Sequence, residues 1–509
     1  MTRGIGVAVI AAGALVASRA AADEAAKPED LELRLTLSTF LYRESGADAP
    51  PIVDQGAALG NASPIRRTFG DLRAELLAGG FTLDARIRQT TSERYQAGAS
   101  AGGEYELRVL DQELGSHTTF VTIGRQVIDA VGATKIDGVA LTHRLSDTVR
   151  ATLFAGAFPQ LGSRSLDTDY ARIRRADGSD GPHLVPVTGG LGAAYQTPDY
   201  HGELGAAAVF APQDVPDASA SDKARVFTTS SGYWRPAAGL DLYHFALLDL
   251  VGGVHLTNGS AGIDARPIAN LQLSASVHHV SVDLLQIAAR GVLDDPDPSA
   301  IGVVQNNLAL LRISQDAARG AVSLAFAQQR FELSASGGVR RRPRVDLALA
   351  DGSGALAFRE ARSAEATFAI LDRRSIAGLR LQLSGSLTFP LGSGATDRAR
   401  GSLVRLSASR GFAQQRGQLE ADVMAERFRD EGAGHCMTSL DPSLCYGNAK
   451  TTAAQAGALA SWRIGREWLV IADLHAGYRD VRSAGIAGPI AWPLVTSITS
   501  FVRVQWRYR

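Results

Sequence analysis

The sequence predicts an all-β protein: a transmembrane, antiparallel up-and-down β-barrel. Three observations carry that prediction. The chain opens with an export signal and has no later apolar run long enough for a membrane helix. Apolar and polar residues then alternate with a period of two from Leu31 to the final residue. Short turns and long polar loops follow one another along the whole chain. Successive side chains of a strand point to opposite faces, so such a sheet has one apolar face and one charged face. A barrel in a bilayer needs that division, with lipid outside and water inside.

The export signal is built from Arg3, the apolar stretch 5–16 and the small residues Ala20-Ala21-Ala22. Residues 1–22 are therefore expected to be cleaved, residues 23–30 to form a short periplasmic lead, and residues 31–509 to form one barrel domain. With 45% hydrophobic and 20% charged residues in 509, the chain is too polar for a bundle of membrane helices. It has the length for several soluble domains or one large barrel. The formal charge is zero, which gives no net field to attract a polyanion, and no nucleic-acid partner is expected.

The first strand sets Leu31, Leu33, Leu35 and Leu37 against Glu32, Arg34, Thr36 and Ser38. Residues 67–77 set Leu72, Ala74 and Leu76 against Asp71, Arg73 and Glu75. Ala78-Gly79-Gly80 is a tight turn, and residues 81–90 return with Phe81, Leu83, Ala85 and Ile87 opposite Thr82, Asp84, Arg86 and Arg88. Further strands are predicted over 105–111, 118–125, 139–144, 149–157 and 378–389. Hairpin turns are predicted at Pro198-Asp199, Arg235-Pro236-Ala237, Asp372-Arg373-Arg374 and Gly465-Arg466-Glu467. Residues 306–341 divide into two or three strands. The tetrapeptide Ala-Gln-Gln-Arg occurs at 327–330 and 413–416, which marks either one kind of turn used twice or a coincidence.

The long loops lie near 44–66, 159–187, 212–223, 283–304, 341–362, 430–450 and 481–495. At roughly 10 residues per strand, about 18–22 strands fit, with both chain ends on the side of the short turns. The last strand is the clearest: Val502, Val504, Trp506 and Tyr508 alternate with Arg503, Gln505, Arg507 and Arg509. It must pair with the first strand, because an open edge does not survive in lipid. Tyr233-Trp234, Trp462, Trp468, Trp506 and Tyr508 fall at strand ends, as an interfacial aromatic girdle requires. Read alone, the final strand equally suits the edge of an exported soluble sandwich.

At Gly124-Arg125-Gln126 and Lys135-Ile136-Asp137-Gly138-Val139 the chain resembles bacterial outer-membrane porin-like barrels, and alginate-export-type porins in particular. There, G-R-Q ends one strand and D-G-V opens the next. The resemblance implies a pore in the bacterial outer membrane. Its partners would be outer-membrane lipid, the barrel assembly machinery and small hydrophilic solutes. The chain departs from the pattern at its end, where Arg509 replaces a terminal aromatic residue.

The candidate functional residues are the charges of the early hairpins: Arg73, Glu75, Asp84, Arg86, Arg88, Arg108 and Arg125. They form either a wall of mutually satisfied ion pairs or a constriction whose field selects solutes. Mild anion preference is expected if one guanidinium lacks a carboxylate partner. The chain has ten histidines and no nucleophile, metal or phosphate motif, so neither enzyme activity nor a cofactor is expected; an exported soluble all-β binding or structural protein and a barrel carrying an enzyme site are the alternatives. His278 and His279 are adjacent and would point to opposite faces. The two cysteines, Cys436 and Cys445, enclose a loop containing Asp441-Pro442. In an exported chain they are expected to form a disulfide.

Overall fold

A sheet in hydrocarbon has to satisfy every backbone N–H and C=O internally, and this sheet does so by joining its ends. The computed structural model describes residues 31–45, 64–94, 98–159, 166–170, 185–210, 224–251, 253–281, 315–342, 360–376, 378–391, 400–429, 450–485 and 495–508. It also describes short pieces at 53–54, 57–58, 172–174, 180–183, 345–348, 355–358 and 488–491. The export signal and the loop holding Cys436 and Cys445 lie outside these residues.

Among the described residues, 22 antiparallel strands make one closed ring, the upper end of the expected range. The first seven are β1 (Leu31–Ser45), β2 (Pro64–Ala78), β3 (Phe81–Arg94), β4 (Gly98–Gly115), β5 (Thr119–Ile128), β6 (Thr134–Arg144) and β7 (Val149–Ala157). Then come β8 (Val187–Gln196), β9 (Tyr200–Phe210), β10 (Ala224–Ala237), β11 (Leu240–Asp249), β12 (His255–Ile268), β13 (Leu271–Val280), β14 (Gln315–Phe326) and β15 (Phe331–Arg342). The ring finishes with β16 (Ala361–Ile376), β17 (Leu379–Pro390), β18 (Arg400–Phe412), β19 (Gly417–Arg429), β20 (Lys450–Ile464), β21 (Trp468–Gly485) and β22 (Val495–Tyr508). Each strand pairs with its sequence neighbours. β22 pairs with β1 over an unbroken register from Leu33–Tyr508 to Ser45–Thr496. The 306–341 region contributes two strands, β14 and β15, to the described ring.

The faces divide as the alternation requires. Leu37, Leu72, Val404, Leu406 and Val423 are 47–53% exposed and share one face. Ser38, Asp71 and Arg503 share the other. In an isolated chain that apolar exposure would be costly, whereas lipid is its natural solvent. The outer face ends in aromatic pairs beside the short turns: Tyr195–Tyr200, Phe326–Phe331, Phe412–Trp462, Trp468–Trp506 and Trp506–Tyr508, with centroids 5.4–6.3 Å apart. Leu31, where β1 starts, and Tyr508, where β22 ends, lie at this rim.

The repeated tetrapeptide is the same turn used twice. Ala327, Gln328 and Gln329 have φ of 50°, 57° and 65°, and Ala413, Gln414 and Gln415 have 50°, 55° and 71°. In both turns the Arg amide donates to the Ala carbonyl at 3.2 Å. Left-handed backbone costs a side-chain-bearing residue about 1–2 kcal/mol, while glycine's extra unfolded-state freedom costs about 0.5–1. Gln329→Gly and Gln415→Gly are therefore each expected to stabilise the barrel by up to about 1 kcal/mol. Urea unfolding followed by tryptophan fluorescence checks this, and a midpoint that falls would contradict it.

Candidate constriction and lumen wall

A ring of 22 strands spaced ~4.8 Å and tilted ~40° measures about 40 Å across its backbone. A lumen of that width selects solutes only through whatever narrows or charges it. Two features of the described residues do so.

The first is the wall built by β22, β1, β2, β3 and β4. Register places Arg73 beside Arg86 and Glu75 beside Asp84, so like charges face each other directly. Directly opposed like charges destabilise a sheet, and the side chains resolve this by bonding diagonally. The Arg73 guanidinium donates to both oxygens of Asp84, at 2.8 and 2.6 Å. Arg86 and Arg88 both donate to Asp71, which is 7% exposed. Arg108 bonds Glu106 at 2.9 Å, and Arg86 reaches the same carboxylate at 3.6 Å. Arg73 also reaches Glu75 at 3.1 Å, which continues through Arg34 and Glu32 to Arg507 across the β1–β22 seam.

Six of the seven candidate residues thus fall into two ion-pair groups side by side on one wall, Arg73, Glu75 and Asp84 in one and Arg86, Arg88 and Arg108 in the other. Their carboxylates include Glu32 and Asp71, which the sequence reading did not single out. Arg503 is different. Its Nε donates to Ser38 at 3.3 Å and its guanidinium lies 5.1 Å from the Phe501 ring centroid. Neither partner carries charge, so Arg503 stands on this wall without a carboxylate partner among the described residues. Phe501 is in register with Phe40, which stacks on Phe69 at 5.0 Å. Arg88 lies over that ring at 4.7 Å. Arg503, Phe501, Phe69, Arg88 and Asp71 help to line a polar recess of about 330 Å³.

The second feature holds the remaining candidate, Arg125. Pairing of β4 with β5 stops at Leu110–Arg125, although β4 runs on to Gly98. Pairing of β6 with β7 stops at Asp137–Ala157. Residues 126–136 therefore have only one another as ladder partners and leave the wall. Just before the departure Gly124, Gly138 and Gly156 lie in one row across three strands. A Cβ at Gly138 would sit 2.1 Å from the Ala155 carbonyl, and one at Gly124, whose φ is +128°, 2.1 Å from that of Leu110. No side chain fits at this bend, which explains the two glycines of the G-R-Q and D-G-V segments.

The hairpin tip, a 3-10 turn at Asp129–Val131, packs against β8, β9 and β10. Val131 and Ile136 are fully buried there with Val209 and Phe227. Gly192 and Gly205, partners in register, make the space. A Cβ at Gly205 would lie 2.3 Å from the Ala130 carbonyl and 2.6 Å from Val131. Behind the hairpin sits α1 (Leu166–Asp169), from the connection between β7 and β8.

Arg125, 7% exposed, joins these parts. It bonds both oxygens of Asp137, its own register partner, together with Asp169 and the Leu107 carbonyl. Lys135 approaches Asp169 at 3.7 Å, and Tyr170 donates to Asp137 at 2.6 Å. Burial, then that bond to Asp137, pushes the Tyr170 hydroxyl pKa up, so it stays protonated and donating. Asp169 and Tyr170 carry no sequence signal, because they reach Arg125 from a separate loop.

His278 and His279 take opposite faces as expected. His278 is in register with Ser260, and the His279 ring bonds Asp316 at 2.6 Å and the Leu256 carbonyl at 2.9 Å.

No protein-family model matches the chain, and no curated protein matches it in sequence. Among solved structures it is similar to the translocation pore of the P pilus usher PapC. The two are 10% identical over 94% of this chain and 99% of that one, with a TM-score of 0.42. It is also similar to Pseudomonas aeruginosa OpdK, solved with vanillate, at 10% identity over 94% and 99% and a TM-score of 0.37. For Pseudomonas aeruginosa OccD3 the values are 10%, 94%, 92% and 0.33. At these TM-scores the likeness adds nothing to the geometry above.

Because Gly205 seats the hairpin tip, Gly205→Val is expected to push the tip off β9 and raise single-channel conductance, while the ring stays closed. Conductance in a planar bilayer, with heat-modifiable gel mobility as the folding control, checks this. Unchanged conductance in a folded variant would show that the hairpin does not narrow the path.

Proposed function

We propose that the protein is a passive channel of the bacterial outer membrane for small hydrophilic solutes, mildly anion-selective and without catalytic activity. One observation carries the reading: a closed ring, apolar outside and charged inside, whose wall sends residues 126–136 inward on a buried ion-pair cluster. A sheet that served only to hold its shape would have no need to break its own ladder. Short turns on one rim and long connections on the other match the periplasmic and external sides of such barrels.

The selectivity follows from the wall. Arg73, Arg86, Arg88 and Arg108 have carboxylate partners, which cancel much of their field at a distance. Among the described residues Arg503 has none, and a cation against a low-dielectric wall favours anions.

In planar bilayers the protein is expected to give stable conductance and, across a salt gradient, a reversal potential of mild anion preference. Arg503→Gln should bring that potential close to zero. Arg86→Glu with Arg88→Glu, which adds two negative charges beside Asp71, should turn it toward cations. A cation-selective wild type, or a potential that Arg503→Gln leaves unmoved, would contradict the assignment. Recovery as a soluble periplasmic protein without heat-modifiable mobility would overturn the channel itself.

A further inference from the structure

The outward face carries a second arrangement, at the rim of the long connections. Arg400 on β18 is in register with Arg429 on β19, and Arg429 with Lys450 on β20. Arg427 lies two residues along β19 from Arg429, on the same face. All four side chains are exposed. They share that face with Val404, Leu406 and Val423, so they look away from the lumen. Asp480, in register with Thr452, brings one carboxylate to the same face among the described residues.

Depth decides what they meet. Trp462 and Phe412 mark the opposite rim, and each stands twelve residues from the basic row, on Lys450 and Arg400 respectively. At ~3.4 Å per residue and ~40° tilt, that is about 30 Å along the barrel axis, slightly more than an apolar band of ~25 Å. The cations therefore sit just past the hydrocarbon, at the level of the headgroups. Beneath them, Ala425, Ala454, Ala456 and Ala476 form a shallow strip between Val404 on one side and Tyr478 and Leu474 on the other. An acyl chain fits against small side chains there while its headgroup meets the cations.

We infer that this face binds a bis-phosphorylated glycolipid of the outer leaflet, its phosphates on Arg400, Arg427, Arg429 and Lys450 and an acyl chain along the alanine strip. The cations span about 10 Å across strands and about 7 Å along one, which suits two phosphates better than one. A row of cations at a bilayer surface attracts anionic headgroups, with a strength that falls as salt rises. The inference rests on the reading that the long connections face outward from the cell.

The test uses the full-length protein in neutral detergent, titrated with lipid A and observed by native mass spectrometry. One lipid A is expected to stay bound, with binding weakened by added salt. Arg400→Gln, Arg427→Gln, Arg429→Gln and Lys450→Gln together should weaken it by roughly several hundredfold, at about fivefold per cation lost. Lys450→Gln alone should weaken it severalfold, and serves if the fourfold variant does not fold. Arg503→Gln, in the lumen, should leave it unchanged. Equal binding by wild type and variants would overturn the site. Cardiolipin bound as tightly as lipid A would overturn the glycolipid assignment. Conductance measured on the same preparations separates this failure from failure of the channel.

Discussion

Everything in this structure depends on closing the sheet. In hydrocarbon an unpaired backbone group costs several kcal/mol, so the first strand has to find the last. Thirteen residues of β1 match thirteen of β22 without a register shift. The side chains reinforce the seam from inside: Glu32 bonds Arg507 and Ser38 bonds Arg503. Once the ring is closed, period-two patterning has only one consistent outcome, because a slip of one residue would send every charge into lipid.

Against that constraint, a hairpin that abandons the wall needs compensation, and the compensation is local. Arg125 supplies a donor to the Leu107 carbonyl where β4 loses its partner. Gln126 donates to the carbonyls of Thr122 and Gly138, and Thr134 to that of Val131. The tip then gains an apolar seat on β8–β10. Breaking a buried charge pair by removing one partner typically costs 3–5 kcal/mol, because the other charge is stranded. That asymmetry makes the Arg125–Asp137–Asp169 cluster a stiff fastening for the hairpin. It also separates two roles that look alike in sequence: the β1–β4 arginines charge the wall, whereas Arg125 holds a piece of it in place.

Most of the ring was legible because each strand needs only alternation, and alternation is local. The turn at Gly79-Gly80, the strands on either side of Leu145-Ser146-Asp147 and the closure by the last strand all follow from neighbouring residues. The strand ends were harder: β4 extends from Gly98 to Gly115 where alternation marked only 105–111, because its glycines and alanines carry no polarity signal. The repeated Ala-Gln-Gln-Arg was visible as a repeat, but its left-handed backbone was not, since no glycine or asparagine announces it. The inward hairpin was marked only as a family-like stretch. Its physical meaning depends on Gly192, Gly205 and Asp169, which come from other strands and loops. The same holds for Arg503, whose lack of a carboxylate partner is a property of the whole wall.

The most direct test of closure is a cross-link across the seam. In a background with Cys436→Ser and Cys445→Ser, cysteines at Thr39 and Val502, partners in register, are oxidised in the folded, bilayer-inserted protein. The closed ring predicts efficient disulfide formation for that pair and little for Thr39 with Val504, one step out of register on the same face. Failure of the in-register pair to cross-link, or equal cross-linking of both pairs, would contradict a ring closed by β1 and β22.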